Sequence, residues 1–275
     1  MREEQTYSLK AIEQRLSDND LPFSGRTELD SAYFTFLRPS FICATAIHAS
    51  GQIRDELHPK LKIGSKDRLR EEDPGTDCFL KNFPIRITAL DSRYEYDINR
   101  ETARAIYDVA WGVEVWKDPP TGREKLLSLA KHAEFHKLMD IIAEYLIRDN
   151  DYGIIFDLHS FNYRRTRGGE NTKPDINIGT GPVNRGRFGD LIDDFISRLK
   201  EITINGTPLR VAENEIFTGG YLSRRLSSEY YDKLLVLAIE FKKIYMDEWT
   251  GEIFEPVLEE LVDKFTQVVV ETSGT

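Results

Sequence analysis

The sequence has few cysteines and no long apolar run. Cys43 and Cys78 are its two cysteines and lack CxxC spacing, which argues against a disulfide framework and predicts a reducing compartment. No stretch approaches the ~20 apolar residues that span a bilayer, and the polar residues 2–5 do not form the regions of a signal peptide. We therefore expect a cytoplasmic protein without a membrane partner.

Positive charge is also scarce. The 275 residues carry 37 Lys and Arg against 47 Asp and Glu, a formal net charge of −10. No basic stripe interleaved with aromatics is present, so a nucleic-acid or anionic-lipid partner is not expected. A small anionic substrate needs a local cluster of arginines. Motifs for P-loop, dinucleotide-binding and serine-hydrolase sites are absent as well.

The hydrophobic pattern predicts an α/β layered fold. Strand-like runs cover 41–48, 84–90, 153–159, 208–212 and 234–241. Helical periodicity appears between them at 135–146 and 188–199, and at 255–269 near the end. Residues 1–40, with one weak helical stretch at 9–16, are predicted to be a polar leader packed on the domain. Residues 41–275 are predicted to form one domain.

Two stretches are predicted to be long loops. Residues 50–75 are charged and poorly periodic, and residues 164–187 are rich in glycine. Each follows a strand that carries a histidine of interest. Long loops in a compact domain are often binding loops or lids, so we expect both near a functional site.

Three apolar runs end on residues suited to catalysis: His48, His159 within Asp157-Leu158-His159-Ser160, and Glu240. Ligands of open α/β sheets bind outside the carboxyl ends of the strands, so these side chains are expected to converge. Imidazoles and a carboxylate suit a catalytic Zn²⁺ and its general base. The alternatives are a buried Asp157–His159 pair, a capped strand end at His48, and an ion pair between Glu240 and Lys242.

Further residues suit a metal ligand or an anion socket. Asp77 ends an acidic run, 71–77, that supplies a third ligand or only a solvated surface. Asn99 and Arg100 suit a substrate carboxylate, although Asp97-Ile98-Asn99-Arg100 also fits a helix entry. Further arginines are Arg93, Arg164, Arg165, Arg167, Arg224 and Arg225. His132 and His136 have the spacing but not the order of an HExxH zinc motif.

An ordered set of short motifs resembles the N-formylglutamate amidohydrolase family, from about residue 41 to 263. The motifs are His48-Ala-Ser-Gly51, Thr76-Asp77, Ser92-Arg93-Tyr94, Asp97-Ile98-Asn99-Arg100, Phe135-His136, Asp157-Leu158-His159-Ser160, Pro174-Asp175…Gly179, Gly219-Gly220-Tyr221 with Arg224, and Ile239-Glu240…Tyr245-Met246-Asp247-Glu248. Each is weak alone, and their order is specific. Two departures are Ile53-Arg54 and a long basic segment, 164–173, which leaves the exact substrate in question.

The resemblance implies a fold, a metal and a set of roles. The fold is three-layer α/β/α with a mixed, mostly parallel central sheet, similar to zinc peptidases of the phosphorylase/hydrolase-like class. One Zn²⁺ is implied at His48, Asp77 and His159, with Glu71, Glu72 and Asp73 as competing acidic ligands. Glu240 is the implied general base. The implied substrate-binding residues are Arg93, Asn99, Arg100, Arg224 and Tyr221.

These observations lead to the hypothesis of a zinc amidohydrolase that cleaves an N-acyl amino acid, with N-formyl-L-glutamate as the first candidate. In that hypothesis Arg100 also serves catalysis, because it fixes the scissile bond over the metal. A second arginine, Arg224 or one within 164–167, binds a side-chain carboxylate. The alternatives are a carboxypeptidase-like or cell-wall peptide amidase activity and an inactive binding module. The oligomeric state is left open.

Overall fold

The structure is a computed structural model that describes residues 5–163 and 172–273, and every structural statement below concerns these residues. Nine strands form the central sheet, in the order β1-β2-β3-β5-β4-β8-β13-β9-β12. The strands are β1 (Thr6–Tyr7), β2 (Phe23–Thr27), β3 (Ala32–Phe36), β4 (Ile42–Ala46), β5 (Ile85–Ala89), β6 (Val109–Ala110), β7 (Val113–Glu114), β8 (Gly153–Phe161), β9 (Ile176–Gly179), β10 (Thr203–Ile204), β11 (Thr207–Pro208), β12 (Val211–Glu213) and β13 (Leu234–Lys242). β6 pairs with β7 and β10 with β11 in two small hairpins.

Helices cover both faces of the sheet. They are α1 (Leu9–Ser17), α2 (Ser65–Glu71), α3 (Gly122–Arg148), α4 (Arg185–Leu199), α5 (Tyr221–Glu229) and α6 (Glu255–Ser273), with 3₁₀ helices at His58–Lys60, Thr76–Asn82 and Thr102–Arg104. One core contains the apolar sides of α1, α3 and α5. The other contains those of α4, α6 and the 3₁₀ helix Thr76–Asn82. The predicted three-layer α/β/α arrangement is confirmed.

The sheet is mixed and mostly parallel. Its centre, β5-β4-β8-β13, is entirely parallel, while antiparallel pairing occurs at β2-β3, β3-β5 and β13-β9. β8 is buried over its whole length and β13 over nearly all of it. Strands buried on both faces are expected to form continuous apolar runs, and that is the pattern from which they were predicted.

The predicted loops contain regular structure. The 50–75 segment includes α2 and the 3₁₀ helix His58–Lys60. The 164–187 segment includes β9 and the start of α4, whereas residues 164–171, with Arg164, Arg165 and Arg167, lie outside the described residues. Strand β9 has only four residues, which is too short for a period to be recognised. None of the described helices has the length and apolar content needed to cross a membrane.

Residues 5–40, within the predicted leader, contribute three strands to the central sheet. β1, β2 and β3 extend the sheet beyond β5, and α1 packs in the same core as α3. The strands are held by packed aromatic side chains, with Phe34 in edge-on or tilted ring contact with Tyr7, Phe23 and Phe36. Short strands that carry a glycine or an arginine among these aromatics lack the apolar run that marks a buried strand.

We expect Phe34→Ala to lower the free energy of unfolding by about 3–5 kcal/mol, because it leaves a cavity in a closed aromatic cluster. Leu37→Ala in the same segment is the matched control. Leu37 is 43% exposed, and its loss should stay within about 0.5 kcal/mol. Urea unfolding of both variants measures the difference. Equal, small losses would show that residues 5–40 do not contribute to the stability of the domain.

Candidate metal centre

The carboxyl ends of three neighbouring strands bring the predicted residues together. His48 lies two residues beyond β4, while His159 and Glu240 lie near the carboxyl ends of β8 and β13. Glu240 is the register partner of His159, so the two side chains stand side by side on one face. That face is the one covered by α3 and α5. The convergence expected from the sequence is therefore present.

Asp73 lies between the two histidines. Its Oδ2 is 3.2 Å from Nδ1 of His159 and 3.5 Å from Nδ1 of His48. The hydroxyl of Ser160 donates to its other oxygen at 3.1 Å. One ligand atom from each of His48, Asp73 and His159 lies within 4.8 Å of the others, and all three residues are buried.

Asp77, the predicted acidic ligand, does not belong to this cluster. It is exposed on the 3₁₀ helix Thr76–Asn82. Asp73 takes that place because its backbone N–H donates to the carbonyl of His48, which holds the start of this turn against the end of β4. Asp73 is one of the four acidic candidates in the sequence. Their side chains point in different directions because the chain turns sharply here, and spacing in the sequence does not reveal these directions.

A second carboxylate lies behind each histidine. Nε2 of His48 is hydrogen-bonded to Asp97 at 2.8 Å, and Nε2 of His159 lies 3.1 Å from Asp157. Arg93 donates to Asp97 at 2.8 Å and to the carbonyl of Glu71. Such outer carboxylates fix the tautomer and the orientation of a metal-ligating imidazole. Both rings are thereby turned with Nδ1 toward Asp73.

The donor set fits a divalent cation. Two imidazole nitrogens and one carboxylate are the protein ligands of many catalytic Zn²⁺ sites, which keep a further position for water. Nδ1 of His48 is buried and has no hydrogen-bond partner among the described residues. An orphaned buried nitrogen is costly, and coordination to a metal removes that cost. His48, Asp73 and His159 would hold the ion.

Buried charges control the protonation of this cluster. Burial would raise the pKa of Asp73, but its contacts with the imidazole rings of His159 and His48 lower it below its usual value. Burial would likewise lower the pKa of His159, whereas contacts with Asp157 and Asp73 raise it well above the ordinary value. The ring of His159 therefore has a raised affinity for a proton. A metal ion that binds Nδ1 must displace it.

Glu240 has the properties of a general base beside this cluster. Its pKa is raised to about 8: burial is the largest cause, the charge of His159 opposes the shift, and the charge of Asp73 adds to it. A pKa near neutrality suits a group that both takes and returns a proton. The alternative ion pair with Lys242 is not formed, because that ammonium pairs with Asp175 at 2.5 Å.

A cavity of about 340 Å³ opens over the cluster. Of the predicted substrate-binding residues, Arg93, Asn99, Arg100 and Arg224 line it, and Tyr221 does not. Tyr221 begins α5 and its ring lies against His136 instead. The guanidinium groups of Arg100 and Arg224 each donate to a backbone carbonyl and have no carboxylate partner among the described residues. They are therefore available to an anion.

Several residues of the cavity wall were not predicted, and three of them add charge or aromatic surface. Arg70, at the end of α2, lies 3.8 Å above the ring of Trp249, and its Nε is buried without a hydrogen-bond partner among the described residues. Trp111 and Phe217 add aromatic surface. None of them belongs to a motif or lies at the end of an apolar run. Only tertiary structure brings them to the site.

His132 and His136 support the substrate wall from behind. Their Nε2 atoms donate to the carbonyls of Arg100 and Ile98, at 2.9 and 3.1 Å. Burial lowers the pKa of both, that of His136 to about 3, so the rings are neutral. The two histidines position the segment that carries Asn99 and Arg100, and they lie outside the metal cluster.

Comparison with known proteins agrees with this geometry. A family model described as N-formylglutamate amidohydrolase matches residues 41–246. The structure of N-formylglutamate amidohydrolase from Ralstonia eutropha JMP134 is similar, with a TM-score of 0.69 and 15% identity over 90% of this chain and 100% of that one. Gene product Atu2144 from Agrobacterium tumefaciens gives 0.65 and 17%, over 89% and 96%. At these identities the two structures show the fold alone. No curated protein matches the chain.

We expect Asp73→Asn to weaken Zn²⁺ binding by more than about 100-fold, since loss of an outer carboxylate alone typically costs 10–100-fold. Asp77→Asn, four residues away, should bind Zn²⁺ as the parent protein does. Calorimetric titration of the metal-free proteins measures both affinities, and thermal unfolding checks that each variant is folded. Equal losses in the two variants would refute the assignment of the acidic ligand to Asp73.

Proposed function

Because the chain belongs to the N-formylglutamate amidohydrolase family, we propose that it is a zinc-dependent hydrolase that cleaves the amide of an N-acyl amino acid. Our first candidate for the substrate is N-formyl-L-glutamate, which gives formate and L-glutamate. The observation that carries the proposal is the position of Glu240, a carboxylate with a raised pKa directly beside the His48–Asp73–His159 cluster.

The proposed reaction adds water across one amide bond. When bound, the Zn²⁺ lowers the pKa of a water and polarises the amide carbonyl. Glu240 accepts a proton as the water oxygen forms its bond to the carbonyl carbon. Glu240 then donates this proton to the amide nitrogen as the C–N bond breaks, so the products are a carboxylate and an amine. Arg93, fixed by Asp97, keeps the His48 side of the cluster in place throughout.

Arg100 and Arg224 support an amino acid with two carboxylates. Both guanidinium groups line the cavity and are free of carboxylate partners among the described residues. Arg100 and Asn99 are proposed to hold the α-carboxylate and Arg224 the side-chain carboxylate. Asn99 is fixed by the N–H of Leu222, which donates to its Oδ1. A tightly held substrate places the scissile bond over the metal at a small entropic cost in the transition state.

We also propose a cytoplasmic location. Both cysteines are free, and Cys43 is buried in the core, where burial raises its pKa and leaves it unreactive. This use of cysteine is typical of reducing compartments.

A screen of amine release tests the proposed function. The zinc-loaded protein is offered N-formyl and N-acetyl amino acids, with and without a chelator. We expect turnover of N-formyl-L-glutamate that is lost with the chelator and restored by added Zn²⁺. No release of amine from any N-acyl amino acid would refute the proposal. Full activity in the chelator would refute its metal dependence.

Glu240→Gln should keep the metal and lose turnover by a factor of about 10²–10⁴, the usual contribution of a general base. The amide preserves the shape of the side chain but cannot accept the proton. Single-turnover kinetics, with the zinc content measured on the same sample, separates loss of the base from loss of the metal. A variant with full zinc and full turnover would show that Glu240 is not the base.

Arg100→Ala should lower kcat/KM by roughly 10–100-fold, because it removes a charge-assisted bond to the substrate carboxylate that is worth about 1.5–3 kcal/mol. Arg104→Ala is the control, since Arg104 is exposed and does not line the cavity. Steady-state kinetics of both variants with N-formyl-L-glutamate gives the comparison. Similar values for the two variants would remove Arg100 from the binding site.

A further inference from the structure

A two-stranded hairpin places an aromatic ring at the mouth of the cavity. β6 and β7 are joined by Trp111 and Gly112, whose φ angles are +50° and +82°. Positive φ at both central residues is the pattern of a type I′ turn, which favours Asn, Asp or Gly. A tryptophan in the left-handed region is unusual and strained. The local conformation does not explain why a tryptophan occupies this position.

The base of the hairpin is firmly anchored. Ala110, Val115 and Trp116 are buried in a small apolar cluster of their own with Ile53 and Leu57. The N–H of Val115 donates to Asp108, the N–H of Lys62 donates to Val115, and Nε1 of Trp116 donates to Tyr107. The tip is therefore carried on a fixed support, and the position of Trp111 is defined.

The Trp111 ring covers Arg93. Its centroid lies 4.7 Å from the guanidinium carbon, and the rings of Tyr94 and Tyr107 lie 5.7 and 5.6 Å away. Nevertheless Trp111 remains 40% exposed and lines the cavity. Phe217, 37% exposed, lines it too. Trp111 thus gives the cavity an apolar, partly exposed surface beside the arginine that fixes Asp97, and Phe217, packed against Phe161, gives it a second one.

The charges of the cavity assign this wall to one part of the substrate. Arg93 donates to Asp97 and to the carbonyl of Glu71, so beneath Trp111 there is no free anion socket. Among the described residues, the guanidinium groups of the cavity without a carboxylate partner belong to Arg70, Arg100 and Arg224, and substrate carboxylates are expected there. A carboxylate against an indole face would lose hydration without a partner. Of the parts of an N-acyl amino acid, the acyl group is therefore the one expected to contact Trp111.

We propose that Trp111, with Phe217, forms an acyl-binding wall, and that the protein accepts N-acyl amino acids whose acyl group is apolar and larger than formyl. This inference rests on the proposed amidohydrolase function and names a wider substrate class for the same site. A formyl group has one carbon and gains little from this wall, whereas an aromatic or short aliphatic acyl group gains dispersion and burial.

Kinetics with a graded acyl series tests the proposal on the zinc-loaded protein. The substrates are N-formyl-, N-butyryl- and N-benzoyl-L-glutamate. Trp111→Asn removes the ring and places a residue suited to positive φ in the turn. We expect kcat/KM to fall about 10-fold or more for the benzoyl compound, within the 10–200-fold range of apolar pocket contacts, and to fall much less for the formyl compound.

Matched variants separate an acyl wall from a structural role. Val113→Ala changes the same hairpin at a residue that is 44% exposed and does not line the cavity. The kcat/KM values for all three substrates should be unchanged in this variant. Trp111→Phe should restore most of the benzoyl activity. An equal loss for all three acyl groups in Trp111→Asn would overturn the proposal, because it would mean that the ring only supports Arg93. A parent protein that hydrolyses the formyl compound but neither binds nor hydrolyses the larger acyl compounds would overturn it too.

Binding distinguishes this inference from the proposed function. Calorimetry of the zinc-loaded Glu240→Gln variant with N-benzoyl-L-glutamate measures affinity without turnover. If the parent hydrolyses no N-acyl amino acid, yet Trp111→Asn still weakens binding of the benzoyl compound selectively, the acyl wall stands and the hydrolase proposal falls. If hydrolysis of the formyl compound is seen while binding of the benzoyl compound is insensitive to Trp111, the acyl wall falls alone.

Discussion

The shared contact of Asp73 with two imidazole rings is the constraint from which the rest of the site follows. One oxygen of Asp73 lies within 3.5 Å of Nδ1 of both His48 and His159. This arrangement requires both rings to turn Nδ1 inward and leaves Nε2 to an outer carboxylate, Asp97 or Asp157. Four carboxylates therefore lie close together in the interior. Asp73, Asp97 and Asp157 are buried, and Glu240 is half-buried.

Such a concentration of negative charge is expensive without a cation. Arg93 pairs with Asp97, but the oxygens of Asp157 are buried and have no hydrogen-bond partner among the described residues. If Nδ1 bound a metal, the proton of each imidazole would lie on Nε2, and this N–H would donate a hydrogen bond to the outer carboxylate. A divalent cation would therefore supply positive charge at the centre and satisfy the outer groups through the rings.

Sequence reasoning located the parts of the site that lie on the central strands. His159 and Glu240 end apolar runs, and the parallel pairing of β8 with β13 makes neighbours of them. Asp73 was not singled out, because it lies in a turn after α2 whose direction depends on a backbone bond to His48. His132 and His136 have the spacing of a zinc motif in the sequence. In the structure they are buried and bond to the backbone of the segment that carries Arg100.

The difference between apolar central strands and the surrounding segments also explains which parts of the fold are predictable from the sequence. The central strands were visible because burial on both faces removes polar residues from them. The outer strands β1, β2 and β3 have apolar runs interrupted by polar residues or glycine. They are stabilised by aromatic contacts between residues distant in sequence, such as Phe23 with Phe36. Trp111 is the extreme case: its turn favours other residues, and its contacts with Arg93 and Tyr94 and its place in the cavity wall arise only in the tertiary structure.

The net charge of −10 appears at odds with an anionic substrate. Charges at the surface are screened over roughly 8 Å at physiological ionic strength, so distant carboxylates have little effect inside the cavity. There the nearby groups decide, and Arg70, Arg100 and Arg224 line its wall without carboxylate partners among the described residues. Low-dielectric walls of aromatic rings strengthen each of these charges toward a bound carboxylate. A negative protein can therefore bind an anion, provided that the arginines stay unpaired until the anion arrives.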